Sequence, residues 1–125
     1  MRLLLDSCAV VWWLGNPGHL TTVAREAIAD PENDVFFSAA SVWELGLKIT
    51  RGRLEMPTNF VHFLREDAFG ELEINVAHAE RSFELPPHHA DPFDRLLLAQ
   101  SLVENLTLVT RDSRLNNYEA KILPC

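Results

Sequence analysis

At 125 residues, with 47% hydrophobic and 23% charged side chains, the chain is long enough for one sizeable core and has the composition of an ordinary soluble globular domain. Eleven Lys and Arg against eighteen Asp and Glu give a net charge of −7, which excludes a protein that grips nucleic acid by net positive charge alone. No run reaches the ~18 apolar residues of a membrane helix, and Cys8 and Cys125 are too few and too far apart in sequence for a disulfide framework.

Residues 2–6 read as a continuous apolar strand of the kind covered on both faces of a parallel sheet. The start, Arg2 followed by an apolar run to Leu14, imitates a secretory leader. Asp6 interrupts it, and "GNPGHL" offers no small-x-small cleavage site, so a first strand and helix of a mature, cytoplasmic protein are expected instead. Residues 8–14 form a short buried helix that stops at "GNPG". Leu20, Val23, Ala24, Ala27 and Ile28 have helical spacing, ending before Pro31. "DVFFS" is a second strand. "ASVWELGLKITRG" is a helix with Val42, Leu45 and Ile49 on one stripe and Gly52 as its stop. Pro57 opens another helix, with Phe60, Phe63 and Leu64 inward. "ELEIN" alternates and reads as a third strand nearer an edge. "AHAERSFEL" is a short helix and "PPHH" a loop. Asp91-Pro92 begins a helix burying Phe93, Leu96, Leu97 and Val103; "LTLVT" is a fourth strand and "AKIL" a short fifth.

Strands alternating with helices imply parallel βαβ units in a three-layer α/β/α sandwich, a mostly parallel sheet of about five strands, within a single domain over residues 1–125. Ligands of such sheets sit beyond the carboxyl ends of the strands. Asp6 and Asp112 each end an apolar strand there. Glu44, about one turn into the helix after the second strand, and Asp94, in the first turn of the helix opened by Pro92, can join them. Each acid has a structural reading as well: Asp6 as a helix N-cap, Glu44 as an i,i+4 partner of Lys48, Asp94 complementing the helix dipole, Asp112 capping a turn through Ser113. Asp91 is read as the N-cap before Pro92. Four carboxylates at one sheet edge repel, and are tolerated only with a cation or raised pKa values.

An all-oxygen site suits Mg²⁺ or Mn²⁺, which stabilise charge on a phosphoryl oxygen and activate water. A bound cation would also reverse the local sign for a polyanion. No Gly-rich phosphate loop, G-x-S-x-G elbow or C-x-x-C pair competes. His88-His89 lack the i,i+4 spacing of a helical zinc pair and are not read as ligands. Cys8 is read as a small buried helix residue, and Trp12, Trp13 and Trp43 as core or interface residues. Lys48 and Arg51 lie i+4 and i+7 from Glu44 on its helix face; with Arg53 and Arg95 they are candidate phosphate contacts.

"LLLDSCAVVWWL", "FFSAASVWELGLKITRGRLEMP", "DPFDRLLLAQ" and "LTLVTRD", in that order over nearly the whole chain, resemble a PIN-domain protein of the VapC toxin type. The resemblance implies a PIN fold and a Mg²⁺-dependent endoribonuclease, commonly a homodimer, acting as the toxin half of a type II toxin–antitoxin pair. It implies silencing by a small VapB-like antitoxin whose tail enters the acidic site. By position, the family's catalytic, metal-binding acids fall on Asp6, Glu44, Asp94 and Asp112. Ser7-Cys8 depart from the Thr-His pair of many relatives, and Ala90 from the Arg of "HRDPFDR". A phosphatase of the haloacid dehalogenase type would need a second Asp where Cys8 stands. An RNA-processing PIN nuclease outside a toxin pair, and a non-catalytic RNA- or protein-binding PIN-like module, are the alternatives.

Overall fold

The computed structural model describes residues 1–125. Five strands, β1 (Arg2–Leu5), β2 (Asp34–Ser38), β3 (Gly70–Leu72), β4 (Thr107–Thr110) and β5 (Ile122–Pro124), form one sheet ordered β3-β2-β1-β4-β5, with every pair parallel. The helices are α1 (Ser7–Gly15), α2 (Thr22–Ala29), α3 (Ala39–Thr50), α4 (Phe60–Glu66), α5 (Val76–Glu84) and α6 (Pro92–Val103), with 3₁₀ turns at Pro17–His19 and Ser113–Asn117.

The sheet is buried from both sides, as the unbroken leucine run of β1 requires. Side chains alternate across a strand, so Leu3 and Leu5 join one core while Leu4 joins the other. The first core gathers Ala9 and Val10 of α1, Ala24 and Ile28 of α2, Leu45 of α3 and Leu64 of α4. The second gathers Leu97 and Leu98 of α6 with Leu85, Leu106, Leu108 and Leu115, and α5 packs on α6. All three β1 leucines are fully buried, so truncating any one to Ala should cost about 2–5 kcal/mol.

Parallel strands with helical crossovers bring the helix starts to one edge of the sheet. Asp6 accepts from the Ala9 N–H at 2.7 Å and starts α1; Ser38 accepts from the Ala40 N–H and starts α3. Asp91 accepts from Phe93 and Asp94 N–H and starts α6, with Pro92 at the first helical position, as its sequence predicts. Gly52, at φ +68°, closes α3 while the Arg53 N–H reaches back to the Lys48 carbonyl.

The structure corrects several local expectations. The helix expected from Pro57 begins at Phe60, because residues 57–59 form a turn in which the Phe60 N–H bonds the Pro57 carbonyl. Phe63 and Val103 are each 42% exposed rather than inward. The third strand is an edge strand as expected, but it is short and begins at Gly70. A Cβ at Gly70 would lie 2.6 Å from the Phe36 ring, so only glycine brings β3 that close to β2.

Candidate functional site

β1 lies between β2 and β4, with Leu5 opposite both Phe37 and Val109. One residue further, the Asp6 N–H still bonds the Val109 carbonyl at 3.1 Å, so Asp6 sits at the carboxyl edge of the central strand. β2 leads through Ser38 into α3 and Glu44; β4 leads to Asp112; α6 opens with Asp94. Asp6, Glu44, Asp94 and Asp112 all line one cleft of about 490 Å³, together with Ser7, Cys8, Lys48, Asp91 and Arg111.

Burial and mutual repulsion set the electrostatics. Asp6 is 6% exposed, and this burial, reinforced by the charges of Glu44 and Asp112, raises its carboxyl from 3.8 to about 6 against the lowering bonds from Thr110 and Ala9. Asp94 also rises to about 6, through burial first and then the charges of Asp91, Asp6 and Glu44, with His89 pulling the other way. Asp112 goes in the opposite direction. Arg114 grips both its carboxylate oxygens, Nε to Oδ1 at 3.0 Å and Nη2 to Oδ2 at 2.8 Å, and holds it well below the usual carboxylate range. Glu44 accepts a 2.5 Å hydrogen bond from the Ser7 hydroxyl and pairs with Lys48 at 3.3 Å.

The cations divide. Lys48 lines the cleft. Arg51 and Arg53 are exposed beyond it at the end of α3. Arg95, although it follows Asp94, is turned away from the acids. Its guanidinium donates to the carbonyls of Ser82, Leu85, Pro86 and His89 at 2.8–3.1 Å, so it is a clamp on the 82–89 segment rather than a free phosphate contact. Arg111 lines the cleft but its guanidinium carbon lies over Trp12, 4.1 Å from the ring centroid.

Cys8 departs from its expected burial and is exposed. Partial desolvation of its sulfur and the nearby Asp6 charge push the thiol up to about 11, so it stays protonated at neutral pH and is a poor nucleophile. Of the adjacent histidines, His88 stacks edge-on against Tyr118 on the surface, whereas His89 is buried with its Nε2 2.7 Å from Asp112 Oδ2 and 3.2 Å from Asp94 Oδ2. Donor atoms of His89, Asp94 and Asp112 all lie within 4.8 Å of one another. Sequence reasoning weighed His89 only against helical zinc spacing and missed it. Its signal was its place two residues before the cap in "HADPFD". Ser7 and Arg114 were missed because their partners are fixed only by the fold.

The donor set fits a hard divalent cation. It offers four carboxylates from four separate elements; burial first, and then the neighbouring carboxylate charges, raise two of them to about 6, and a cation would offset the second of these causes.

A family model described as "PIN domain" matches residues 3–121. The chain is 29% identical over 119 residues to Ribonuclease VapC22 of Mycobacterium tuberculosis, covering 93% of this chain and 91% of that protein. Among solved structures it resembles VapBC2 from Rickettsia felis bound to a DNA fragment from their promoter, at TM-score 0.78 and 14% identity over 100% of this chain and 99% of that one. It also resembles VapBC-1 from nontypeable Haemophilus influenzae, at TM-score 0.68 and 15% identity over 99% and 98%. At these identities the structural likenesses establish the fold.

Proposed function

Since the chain belongs to the PIN domain family, we propose that it is a metal-dependent endoribonuclease and the toxin half of a type II toxin–antitoxin pair, acting as one domain in the cytoplasm. The observation that carries this reading is the convergence of Asp6, Glu44, Asp94 and Asp112 in one cleft at the carboxyl edge of the sheet. The likeness to a protein named ribonuclease over nearly the full length of both chains supports it.

In this reading the four acids hold Mg²⁺, with Mn²⁺ as a substitute. When bound, the ion supplies charge stabilisation at a phosphoryl oxygen and lowers the pKa of a water. The chain's own groups do the rest. Lys48 at the cleft, with Arg51 and Arg53 beyond it, brings positive charge to the RNA backbone of an otherwise acidic protein. The Ser7 hydroxyl is committed to Glu44 and the Cys8 thiol is protonated, so neither competes with water as nucleophile. Hydrolysis then breaks one P–O bond of the phosphodiester and water's oxygen takes its place. All four acids are present, which favours catalysis over a non-catalytic binding module.

The partner of such a toxin is a VapB-like antitoxin, and the protein itself works as a homodimer. The acidic cleft adjoins an apolar one of about 530 Å³ between α1 and α4, since Val11 lines both. Its walls include Trp13, Met56 and Phe60, which suit the apolar part of an antitoxin tail while an Arg of the tail pairs with the carboxylates.

The test is expression with and without the neighbouring small reading frame, together with RNA cleavage by the purified protein. Growth arrest that the neighbour relieves, and cleavage that EDTA abolishes, are expected. Cleavage without arrest would point to an RNA-processing nuclease outside a toxin pair.

A further inference from the structure

His89 is held at the cleft through its backbone N–H, its carbonyl and both ring nitrogens. Its backbone N–H donates to the Tyr118 hydroxyl at 3.0 Å, and its carbonyl accepts from Arg95 at 3.1 Å. Tyr118 in turn donates to the Pro86 carbonyl at 2.7 Å, so the segment leading into α6 is fastened from both sides. The residue is 4% exposed. Its Nδ1 accepts the Asp91 N–H at 3.0 Å. A ring nitrogen that accepts a hydrogen bond carries no proton, so in the neutral imidazole the proton sits on Nε2. That N–H points at Asp112 Oδ2, 2.7 Å away, with Asp94 Oδ2 at 3.2 Å.

We propose that His89 is the positioning residue of the metal site: its Nε2–H holds Oδ2 of Asp94 and Oδ2 of Asp112 together and so fixes the two carboxylates for the cation, without itself becoming a ligand. The proposal rests on the metal-binding reading of the four acids. The physical need is plain. Asp94 comes from the start of α6 and Asp112 from beyond β4, and two carboxylates drawn to one spot repel unless a donor lies between them. The buried Nε2–H supplies that donor, beside the Arg114 guanidinium that grips Asp112 from the solvent side. The cap geometry makes the device self-aligning: Asp91 starts α6 through its carboxylate and fixes the His89 ring through its backbone N–H, so the ring and the first turn bearing Asp94 move as one. Hydrogen bonds to ligating carboxylates orient them, and losing such an outer partner typically costs about 10–100-fold in metal affinity.

Two amides separate the two ring nitrogens. In His89→Asn the side-chain oxygen can take the place of Nδ1 and accept from Asp91, but the amide cannot reach the acids. In His89→Gln the amide nitrogen reaches the place of Nε2 and restores the donor. The backbone contacts to Tyr118 and Arg95 survive in both, so the loop keeps its anchors. Mn²⁺ titration of the parent and the two variants, with melting in EDTA as the fold control, reads the role directly. The expected result is a 10- to 100-fold fall in Mn²⁺ affinity for His89→Asn and parent-like affinity for His89→Gln, with metal-free melting lowered alike in both. Parent-like affinity in His89→Asn overturns the proposal, as does equal loss in both variants, which would make the imidazole a packing element. A ¹⁴N coupling on bound Mn²⁺ that is present in the parent and absent from His89→Gln also overturns it, by making His89 a ligand. A parent that binds no Mn²⁺ overturns the metal reading itself, and the positioning role with it.

Discussion

Ser38 and Gln100 share a hydrogen bond buried from solvent, Ser38 Oγ donating to Gln100 Oε1 at 2.5 Å, and through it the helix bearing Glu44 is tied to the helix bearing Asp94. Ser38 is the N-cap of α3, and Gln100 lies two turns into α6. The Gln100 amide continues the network to the Glu73 carbonyl and to His78 Nδ1, each at 3.3 Å, while His78 Nε2 meets Glu104 at 2.8 Å. The last residue of "DPFDRLLLAQ" thus sets the spacing of two site acids from within the protein.

Replacing Gln100 by Leu leaves the Ser38 hydroxyl with a buried apolar partner, and a loss of about 1–3 kcal/mol in urea unfolding is expected. RNA cleavage should fall further than the folded fraction does, because α3 and α6 lose their common reference. Unchanged cleavage per folded molecule would show that the network serves stability alone.

Metal-free stability should fall as pH rises from about 4 to 6. Asp6 and Asp94 have folded-state values near 6 against 3.8 unfolded, so across that window the folded chain holds protons the unfolded chain has lost. Their contribution is therefore fully present below about pH 4 and lost as the pH rises through 6. For Asp6, a shift of about two units corresponds to on the order of 2–3 kcal/mol. Asp112 acts in the other sense, adding stability above pH 4 that is lost on acidification. Urea midpoints in EDTA should show the parent's decline between pH 4 and 6, and Asp6→Asn, which keeps an acceptor for the Ala9 N–H, should flatten it. A slope unchanged in the variant would remove Asp6 as its source.

Lys48 and Arg95 should separate cleanly. Neutralising Lys48 together with Arg51 is expected to leave melting near the parent value and to flatten the dependence of RNA affinity on salt, since fewer counterions are released. Arg95→Ala frees four carbonyls of the 82–89 segment, three of them partly buried, and a loss of about 2–3 kcal/mol is expected. An intact salt slope in the double variant would take Lys48 and Arg51 out of the RNA interface.

An antitoxin tail and Mg²⁺ should compete. The carboxylates that would hold the ion are those an Arg of the tail would grip, so raising Mg²⁺ at constant ionic strength should weaken binding of a tail peptide beyond any screening effect. A tail peptide lacking Arg and Lys that still inhibits fully would mean that it blocks the groove instead.

What the sequence showed, and what it hid, follow from the range of the interactions concerned. The strand ends at Asp6 and Asp112 and the cap at Asp91 were readable because each is written in neighbouring residues: an apolar run that stops, or an Asp before a Pro. Arg95 misled because adjacency to Asp94 suggests a shared site, whereas neighbours on a helix face in different directions. Phe63 and Val103 fit an apolar stripe whose far end the fold leaves uncovered. His89 had only its place two residues before the cap to mark it; its pairing with Asp112, 23 residues away, needed the third dimension.

Everything proposed for this chain depends on metal-dependent RNA cleavage in the four-acid cleft. Single-turnover cleavage of an end-labelled RNA across a Mg²⁺ titration, comparing the parent with Asp94→Asn, tests it most directly. The parent rate should rise from zero in EDTA and saturate with Mg²⁺, while the folded variant stays inactive at the highest concentration. Cleavage at full rate in EDTA, or a variant as active as the parent at saturating Mg²⁺, would contradict it.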